Sequence, residues 1–172
     1  LNFSSDIDLM FLYTCDGETS NSEGCGGLAT QRITNHEFYT RLARLILKAI
    51  HDITADGNVY RVDLRLRPDG RGGPLVNSLA QLEVYYESWG KTWERQMLLK
   101  ARTVAGSENL GRDFLRLMRP FIFRKYLDAA ALQEIKQIKE QIDRSLEQQR
   151  GRGINIKLGR GGIREIEFVA QC

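Results

Sequence analysis

Hydrophobic and polar residues alternate with a period of two in two early segments, as expected for β-strands with one face in a core. The first segment places Asp6, Asp8 and Met10 on one face and Ile7, Leu9 and Phe11 on the other. The second, residues 59–68, places Tyr60, Val62, Leu64 and Leu66 on one face and Arg61, Asp63, Arg65 and Arg67 on the other. We therefore predict two strands, each with an apolar face and a charged face.

Elsewhere the apolar period is 3.6 residues, which predicts helices. A capping box of Thr34 and Glu37 opens the first predicted helix, Thr34–His51, whose apolar stripe is expected to face the core. That stripe consists of Phe38, Leu42, Leu45, Ile46, Ala49 and Ile50. The other predicted helices begin at a second capping box, Ser78 with Gln81, and cover Thr92–Val104, Ser107 to about Met118, and Asp128–Gln149. The pattern predicts an α+β fold, with a small mixed sheet in residues 1–76 and a helical remainder in residues 77–172.

Composition narrows the class of protein. Among 172 residues, 42% are hydrophobic and 27% are charged, as in an ordinary globular protein. The net charge is only +3, and basic residues concentrate in segments 61–71, 112–125 and 150–164, which favours local anion binding over a nucleic-acid surface. Three cysteines without zinc-site spacing favour free cytosolic thiols. No apolar stretch approaches the roughly 18 residues of a membrane span, so we expect a cytoplasmic protein.

The charged faces of the two predicted strands carry the candidate chemistry. Asp6 and Asp8 lie on one strand and Asp63 on the next. Three carboxylates on neighbouring strands can hold two Mg²⁺ ions about 3.5–4 Å apart, the arrangement used for in-line nucleotidyl transfer. Arg65 and Arg67, beside Asp63, suit phosphate oxygens. The alternative is a solvated strand edge with a surface ladder of ion pairs, and the spacing does not decide between the two.

Two glycine-rich segments that contain arginine are candidate anion sites. They are Gly70-Arg71-Gly72-Gly73 and Gly159-Arg160-Gly161-Gly162. Lys157 and Arg164 flank the second, which opens a predicted helix, and backbone amides and the helix dipole at such a start attract phosphate. The alternative is a tight connection in which glycine only supplies a positive φ.

The segment Trp93–Arg102 has two interpretations. The simpler is an amphipathic helix in which charged residues such as Glu94 pair one turn apart. The functional one is a helix that brings Lys100 and Arg102 to the phosphates of a nucleotide.

Four motifs in order give the chain a family resemblance. They are Phe3-Ser4-Ser5-Asp6-Ile7-Asp8-Leu9, Tyr60 to Pro68, Trp93-Glu94-Arg95 with Lys100-Ala101-Arg102, and Ile156 to Phe168. Together they resemble the bifunctional glutamine synthetase adenylyltransferase/adenylyl-removing enzymes, over essentially the whole chain. The resemblance implies a nucleotidyltransferase domain of the DNA polymerase β-like superfamily. The run Lys157 to Phe168 is similar to the N-terminal, adenylyl-removing copy of that domain.

The resemblance also implies an activity and a set of site residues. The expected activity is phosphorolytic removal of AMP from an adenylylated tyrosine of glutamine synthetase, which yields ADP. Asp6, Asp8 and Asp63 match the metal-binding and catalytic carboxylates, with Mg²⁺ as the metal. The expected nucleotide- and phosphate-binding residues are Ser5, Arg65, Arg67, Lys157, Arg160 and Arg164.

The implied setting is bacterial nitrogen regulation. The partners expected from the resemblance are glutamine synthetase and the nitrogen-regulatory PII signal protein, with ATP, ADP and inorganic phosphate as substrates or products. Two alternatives stay open: adenylylation of glutamine synthetase from ATP, and a catalytically incomplete regulatory module that only binds these proteins. The glycine-serine or glycine-glycine element that precedes the aspartate pair in the superfamily is absent. Neither terminus has a cap, a polar tail or an initiator Met, so we expect a piece of a longer enzyme, truncated at both ends.

Overall fold

The computed structural model describes residues 6–20, 32–55, 57 and 59–123, and the scattered positions 133, 136–137, 139–140, 144, 156–157, 161–163 and 166–167. Its elements are β1 (Ile7–Asp8), β2 (Phe11–Tyr13), α1 (Asn35–His51), β3 (Val62–Asp63), β4 (Val76–Ser78), α2 (Leu79–Ser88), α3 (Thr92–Leu98) and α4 (Glu108–Ile122). Strands and helices are thus combined, as predicted. Most of the predicted helix Asp128–Gln149 lies outside the described residues.

The strands form two parallel pairs. β1 pairs with β3, with Ile7 opposite Val62 and Asp8 opposite Asp63, and β2 pairs with β4. Described residues therefore form two small parallel ladders, which differs from the mixed sheet that the pattern predicted. The cause is a change of partner at residues 9–10. There Met10 leaves the ladder with β3 and packs near Tyr86, whose hydroxyl lies 3.9 Å from the Met10 sulfur.

The second predicted strand is much shorter than expected, and one strand was not predicted. Residues 59–68 contribute only Val62–Asp63 to a ladder, because Pro68, Asp69 and Gly70 close a series of turns. β4 follows these turns. The apolar pair Leu75-Val76 was its only sequence signal, and Ser78 ends β4 while capping α2.

Helix α1 begins where its cap predicts, but it turns a different face inward. Thr34 Oγ1 accepts a hydrogen bond from the Glu37 amide at 3.1 Å. The Glu37 carboxylate forms an ion pair with Arg41 and does not complete a capping box. The buried residue of α1 is Ala43, which is 2% exposed, and it packs with Tyr13 and Val76. Of the residues of the predicted core stripe, Phe38, Leu42, Leu45 and Ile46 are all exposed, with Leu45 at 66%. The prediction for this stripe is wrong, because the small Ala43 side chain lets the neighbouring face, which carries Tyr39 and Ala43, approach the strands.

The helices after β4 share a second core, formed by Leu82, Tyr86, Leu98, Phe114, Met118 and Ile122. The capping box of Ser78 and Gln81 is confirmed. α3 ends at Leu98, six residues before the predicted end at Val104. α4 begins at the predicted cap, Ser107, but continues through Pro120 to Ile122, because burial of its apolar stripe holds the last turn in place. Within the described residues, no helix is long and apolar enough to cross a membrane.

Candidate active site

The β1–β3 ladder brings two of the predicted carboxylates together. Asp8 and Asp63 are opposite each other in this parallel register. The Ile7 amide donates to the Arg61 carbonyl at 2.9 Å, and the Leu9 amide donates to the Asp63 carbonyl at 3.1 Å. Because side chains alternate across a strand, residues that are partners in register emerge on the same face. The predicted juxtaposition of Asp8 and Asp63 is therefore present in the backbone.

The electrostatics of Asp8 show that acidic side chains gather at this point. Asp8 is exposed as a residue, but partial burial of its carboxyl group is the main cause that raises its pKa. Repulsion from Asp63 and from Asp6 raises the pKa further, while Arg65 and Lys157 oppose the shift. Asp8 therefore interacts with both of the other predicted carboxylates, and proximity of this kind favours a bound cation.

Arg65 binds the third carboxylate through several donors. Its Nε lies 2.7 Å from Asp63 Oδ2 and 3.0 Å from Oδ1, its Nη2 also donates to Oδ2, and its amide donates to Oδ1 at 2.9 Å. The hydrogen bond from the Arg65 side chain is the main cause that lowers the pKa of Asp63, and Arg71 contributes through its charge. Arg65 remains largely exposed, so its guanidinium is open to solvent beside the carboxylates.

Arg61, directly before β3, makes a similar contact: its Nε lies 2.7 Å from Asp6 Oδ1. Ion pairs thus surround the acidic cluster, as the alternative of a surface ladder requires. Among the described residues, no group of three or more His, Cys, Asp or Glu side chains is gathered closely enough to hold a metal ion. The carboxylate oxygens suit Mg²⁺ in kind, and the metal site stays a prediction.

Arg67 does not point toward the carboxylates. Its guanidinium donates to backbone carbonyls of its own loop: Leu64 at 2.8 Å, Pro74 at 3.1 Å, and Arg71 and Gly73 at 3.4 Å. This side chain therefore holds the loop between β3 and β4 together. Phosphate binding by Arg67 stays a prediction, and the geometry gives the residue a structural role.

The C-terminal motif comes close to the acidic cluster at one point. Lys157 interacts electrostatically with Asp8, and it makes further contacts of its own. Nearby in sequence, the Ile163 amide donates to the Ile156 carbonyl at 3.1 Å, and Gly161 has a φ of +73°. Lys100, two residues after the end of α3, contacts Glu167 at 2.8 Å. The remaining predicted binding residues, Ser5, Arg160 and Arg164, lie outside the described residues.

Glu94 is a residue whose role the sequence pattern missed. It was expected to pair with a charge one turn away, but it is completely buried. Its carboxylate accepts a hydrogen bond from the Tyr85 hydroxyl at 3.0 Å and another from the Lys91 amide at 2.8 Å. Glu94 lies between Trp93 and Arg95, so the local pattern of apolar residues does not distinguish it from a surface residue. Its only signal was the compact Trp-Glu-Arg run.

Comparisons with known proteins identify the family of the chain. The family model for glutamate-ammonia ligase adenylyltransferase matches residues 1–117, and the model for GlnD PII-uridylyltransferase matches residues 133–172. Both descriptions are of enzymes that transfer a nucleotidyl group, so the class is that of the nucleotidyltransferases. The chain belongs to the glutamate-ammonia ligase adenylyltransferase family, and the predicted enzyme class is confirmed.

Curated relatives carry the same description along the whole chain. A bifunctional glutamine synthetase adenylyltransferase/adenylyl-removing enzyme of Pseudomonas aeruginosa is 48% identical over 172 residues, 100% of this chain and 17% of the relative. The enzyme of the same name from Vibrio parahaemolyticus is 49% identical over 173 residues, 99% of this chain and 17% of the relative. That from Hahella chejuensis is 47% identical over 171 residues, again 99% of this chain and 17% of the relative. The chain thus spans about one sixth of the length of these relatives.

Proposed function

We propose that this chain carries the carboxylate site of a metal-dependent nucleotidyl transfer that removes AMP from an adenylylated tyrosine of glutamine synthetase. The single observation that carries the proposal is the register of Asp8 opposite Asp63, with Asp6 interacting with Asp8. Family membership supports the transfer chemistry, and the names of the relatives support glutamine synthetase as the substrate. The fold would be a DNA polymerase β-like one, with parallel β1 and β3 at its catalytic edge.

The acidic and basic residues of the site would have different roles. Asp6, Asp8 and Asp63 would hold Mg²⁺, which when bound neutralises phosphoryl oxygens and orients them for in-line displacement. Arg65, open to solvent beside Asp63, would bind a phosphate oxygen through its planar guanidinium. These groups catalyse by holding the reactants in line and by offsetting their charge.

The reaction balances as a displacement at phosphorus. An oxygen of inorganic phosphate forms a bond to the phosphorus of the adenylyl group, and the bond from that phosphorus to the tyrosine oxygen breaks. The products are ADP and tyrosine, whose oxygen takes up a proton. Inorganic phosphate must approach an AMP group that is already negative, so removal of AMP requires additional cations to offset the repulsion between the two anions. Lys157, which interacts with Asp8, is one, and Arg160 and Arg164 are predicted to be others.

Adenylylation from ATP is the second candidate, and one observation favours it: the names of the relatives include both activities. It would use the same carboxylates, with ATP as the donor and the tyrosine as the nucleophile. A partner such as the PII signal protein, and a cytoplasmic location, belong to either proposal. A module that only binds glutamine synthetase would not require the three carboxylates to interact as they do.

The test uses the full-length protein. Adenylylated glutamine synthetase, phosphate and Mg²⁺ should yield ADP, while unmodified glutamine synthetase with ATP and Mg²⁺ should yield no adenylylation that depends on this site. Lys157→Ala, and Arg160→Ala in the predicted loop, should raise the phosphate concentration for half-maximal rate, whereas Lys136→Ala, on an exposed helical position, should not. ATP-dependent adenylylation that Asp8→Asn abolishes would instead establish the second candidate. Binding without either activity would establish the regulatory module.

A further inference from the structure

Glu94 is the one carboxylate among the described residues that is fully buried, with 0% of its surface exposed. A buried carboxylate is costly unless hydrogen bonds satisfy it. Glu94 meets this condition through one bond from each side: the Lys91 amide donates to Oε2, and the Tyr85 hydroxyl donates to Oε1. The first bond caps α3. The second bond joins α3 to α2.

The bond between Glu94 and Tyr85 leads to the loop after Asp63. The Tyr85 oxygen accepts a hydrogen bond from the Asp69 amide at 3.3 Å. The direction of this chain is fixed, because a carboxylate can only accept. Tyr85 must therefore give its single hydrogen to Glu94, which leaves its oxygen lone pairs free for the Asp69 amide. Glu94 thus determines that Tyr85 acts as an acceptor toward the loop.

The anchored loop, residues 64–75, is compact and carries the arginines of the site. Asp69 and Gly70 both have left-handed φ, at 56° and 55°. At Gly73 an added Cβ would lie 2.0 Å from the Pro68 carbonyl oxygen, so the two sides of the loop touch. A loop closed on itself in this way moves as a unit. Its bond to Tyr85 therefore affects the placement of the whole loop, including Arg65 on Asp63 and Arg71 within electrostatic range of Asp63.

We propose that Glu94 and Tyr85 are positioning residues: through the Asp69 amide they fix the arginine-bearing loop against the carboxylates, and so set the affinity of the site for phosphate. This inference rests on the proposed function, since it concerns the same site. It assigns a purpose to a buried carboxylate that the transfer chemistry does not use. It also connects helices α2 and α3 to the loop that follows the strand of Asp63.

Tyr85→Phe separates this role from simple stability. The substitution removes the bonds to Asp69 and Glu94 but leaves Glu94 capping the Lys91 amide. Tyr86→Phe is the matched control, because Tyr86 is the next residue of α2, is buried, and has its hydroxyl 3.9 Å from a methionine sulfur. Both variants lose one hydroxyl from a packed ring. Only Tyr85→Phe releases the loop.

In the full-length protein, Tyr85→Phe should raise the phosphate concentration for half-maximal ADP formation about fivefold, the change in equilibrium that one net hydrogen bond provides. The maximal rate should change less, and Tyr86→Phe should match the wild type in both. The Tyr85→Phe/Glu94→Gln double variant should be no worse than Tyr85→Phe, because the two residues act in series. An equal effect of Tyr85→Phe and Tyr86→Phe on half-saturation would overturn the proposal.

A second measurement keeps the inference testable if the proposed function fails. Hydrogen–deuterium exchange should be faster in peptides that cover residues 64–75 for Tyr85→Phe, and unchanged there for Tyr86→Phe. If the wild type forms no ADP, the proposed function fails, and the exchange pattern still decides whether the loop is anchored in this way. If ADP forms but loop exchange and half-saturation are both unchanged in Tyr85→Phe, the positioning role alone is wrong.

Discussion

Asp8 and Asp63 lie opposite each other in the register of two parallel strands, yet their surroundings move their pKa values in opposite directions. Burial, with repulsion from Asp63, raises the pKa of Asp8, while the hydrogen bond from Arg65 lowers that of Asp63. The negative charge of Asp63 is thus already compensated by an arginine, and that of Asp8 is not fully compensated. Asp8 is therefore the carboxylate that gains most from a cation.

Asp8→Asn should abolish activity without harming the fold. We expect ADP formation to fall by more than about 100-fold, since even the partners that orient metal ligands cost 10–100-fold when they are lost. Stability should stay the same or rise slightly, because the substitution removes a charge that Asp63 repels. Rates with adenylylated glutamine synthetase and thermal unfolding test both parts. Asp113→Asn, at an exposed ion pair on α4, is the control. A folded Asp8→Asn protein with normal activity would remove Asp8 from the mechanism.

Arg65→Lys should weaken phosphate binding, because lysine keeps the charge but loses the planar fork that contacts both oxygens of Asp63. We expect the phosphate concentration for half-maximal rate to rise several-fold, because about one charge-assisted hydrogen bond to phosphate is lost. Steady-state rates at varied phosphate measure the change. Arg116→Lys, which alters an exposed pair with Asp113 far along the chain, should have no effect. If the two variants behave alike, Arg65 has no specific part in the site.

The placement of Asp8 opposite Asp63 depends on strand periodicity. Asp8 and Asp63 each follow an apolar residue with a branched side chain, Ile7 and Val62, and a two-residue period places such pairs on defined faces. The register that unites them is a long-range property. The sequence indicates that both strands exist, but only the folded chain shows that they are neighbours.

Arg67 and Glu94 show where periodicity fails. Arg67 follows the alternation of the predicted strand, but turn residues from Pro68 onward bend the chain and bring its guanidinium onto nearby carbonyls. Glu94 fits an amphipathic helix equally well as a surface residue, and its burial depends on Tyr85, which comes from another helix. Hydrogen bonds that depend on how a loop turns or how two helices pack cannot be read from the period of apolar residues.

Glu94 should make stability depend on pH. Burial raises its pKa above the ordinary value of 4.5; the amide of Lys91, the Tyr85 hydroxyl and the charge of Lys91 oppose this shift, and Asp69 adds to it. The folded chain therefore binds this proton more tightly than the unfolded chain does. The resulting stabilisation is complete below pH 4.5 and is lost as the pH rises through the raised pKa.

Glu94→Gln removes this titration, so the variant should lose less stability than the wild type between pH 4.5 and neutrality. Urea unfolding of the chain at several pH values, followed by circular dichroism, measures the difference. Glu108→Gln, at an exposed position in the first turn of α4, is the control and should follow the wild type. Parallel pH curves for wild type and Glu94→Gln would show that Glu94 titrates as an ordinary surface carboxylate.

Helix α1 has apolar residues on two faces, and the sequence alone selected the wrong one. Tyr39 stacks on Tyr13 with ring centroids 5.2 Å apart, and Ala43 packs one turn later, whereas Leu45 is 66% exposed. A count of large apolar residues favours the outer face, because it overlooks alanine. In the structure, the narrow gap between α1 and the strands determines which face of the helix is buried, because only a small residue fits at position 43.

Two substitutions in α1 distinguish these faces by their effect on the free energy of unfolding. Leu45→Gln should change it by less than about 0.5 kcal/mol, because the side chain is exposed and the two residues have similar helix propensities. Ala43→Leu should cost about 1–3 kcal/mol, because added methylene groups would collide with Tyr13 and Val76. Urea unfolding of both variants makes the comparison. If Leu45→Gln instead costs about 2 kcal/mol or more, as loss of a core leucine does, then the outer face of α1 is buried and the sequence-based stripe was the correct one.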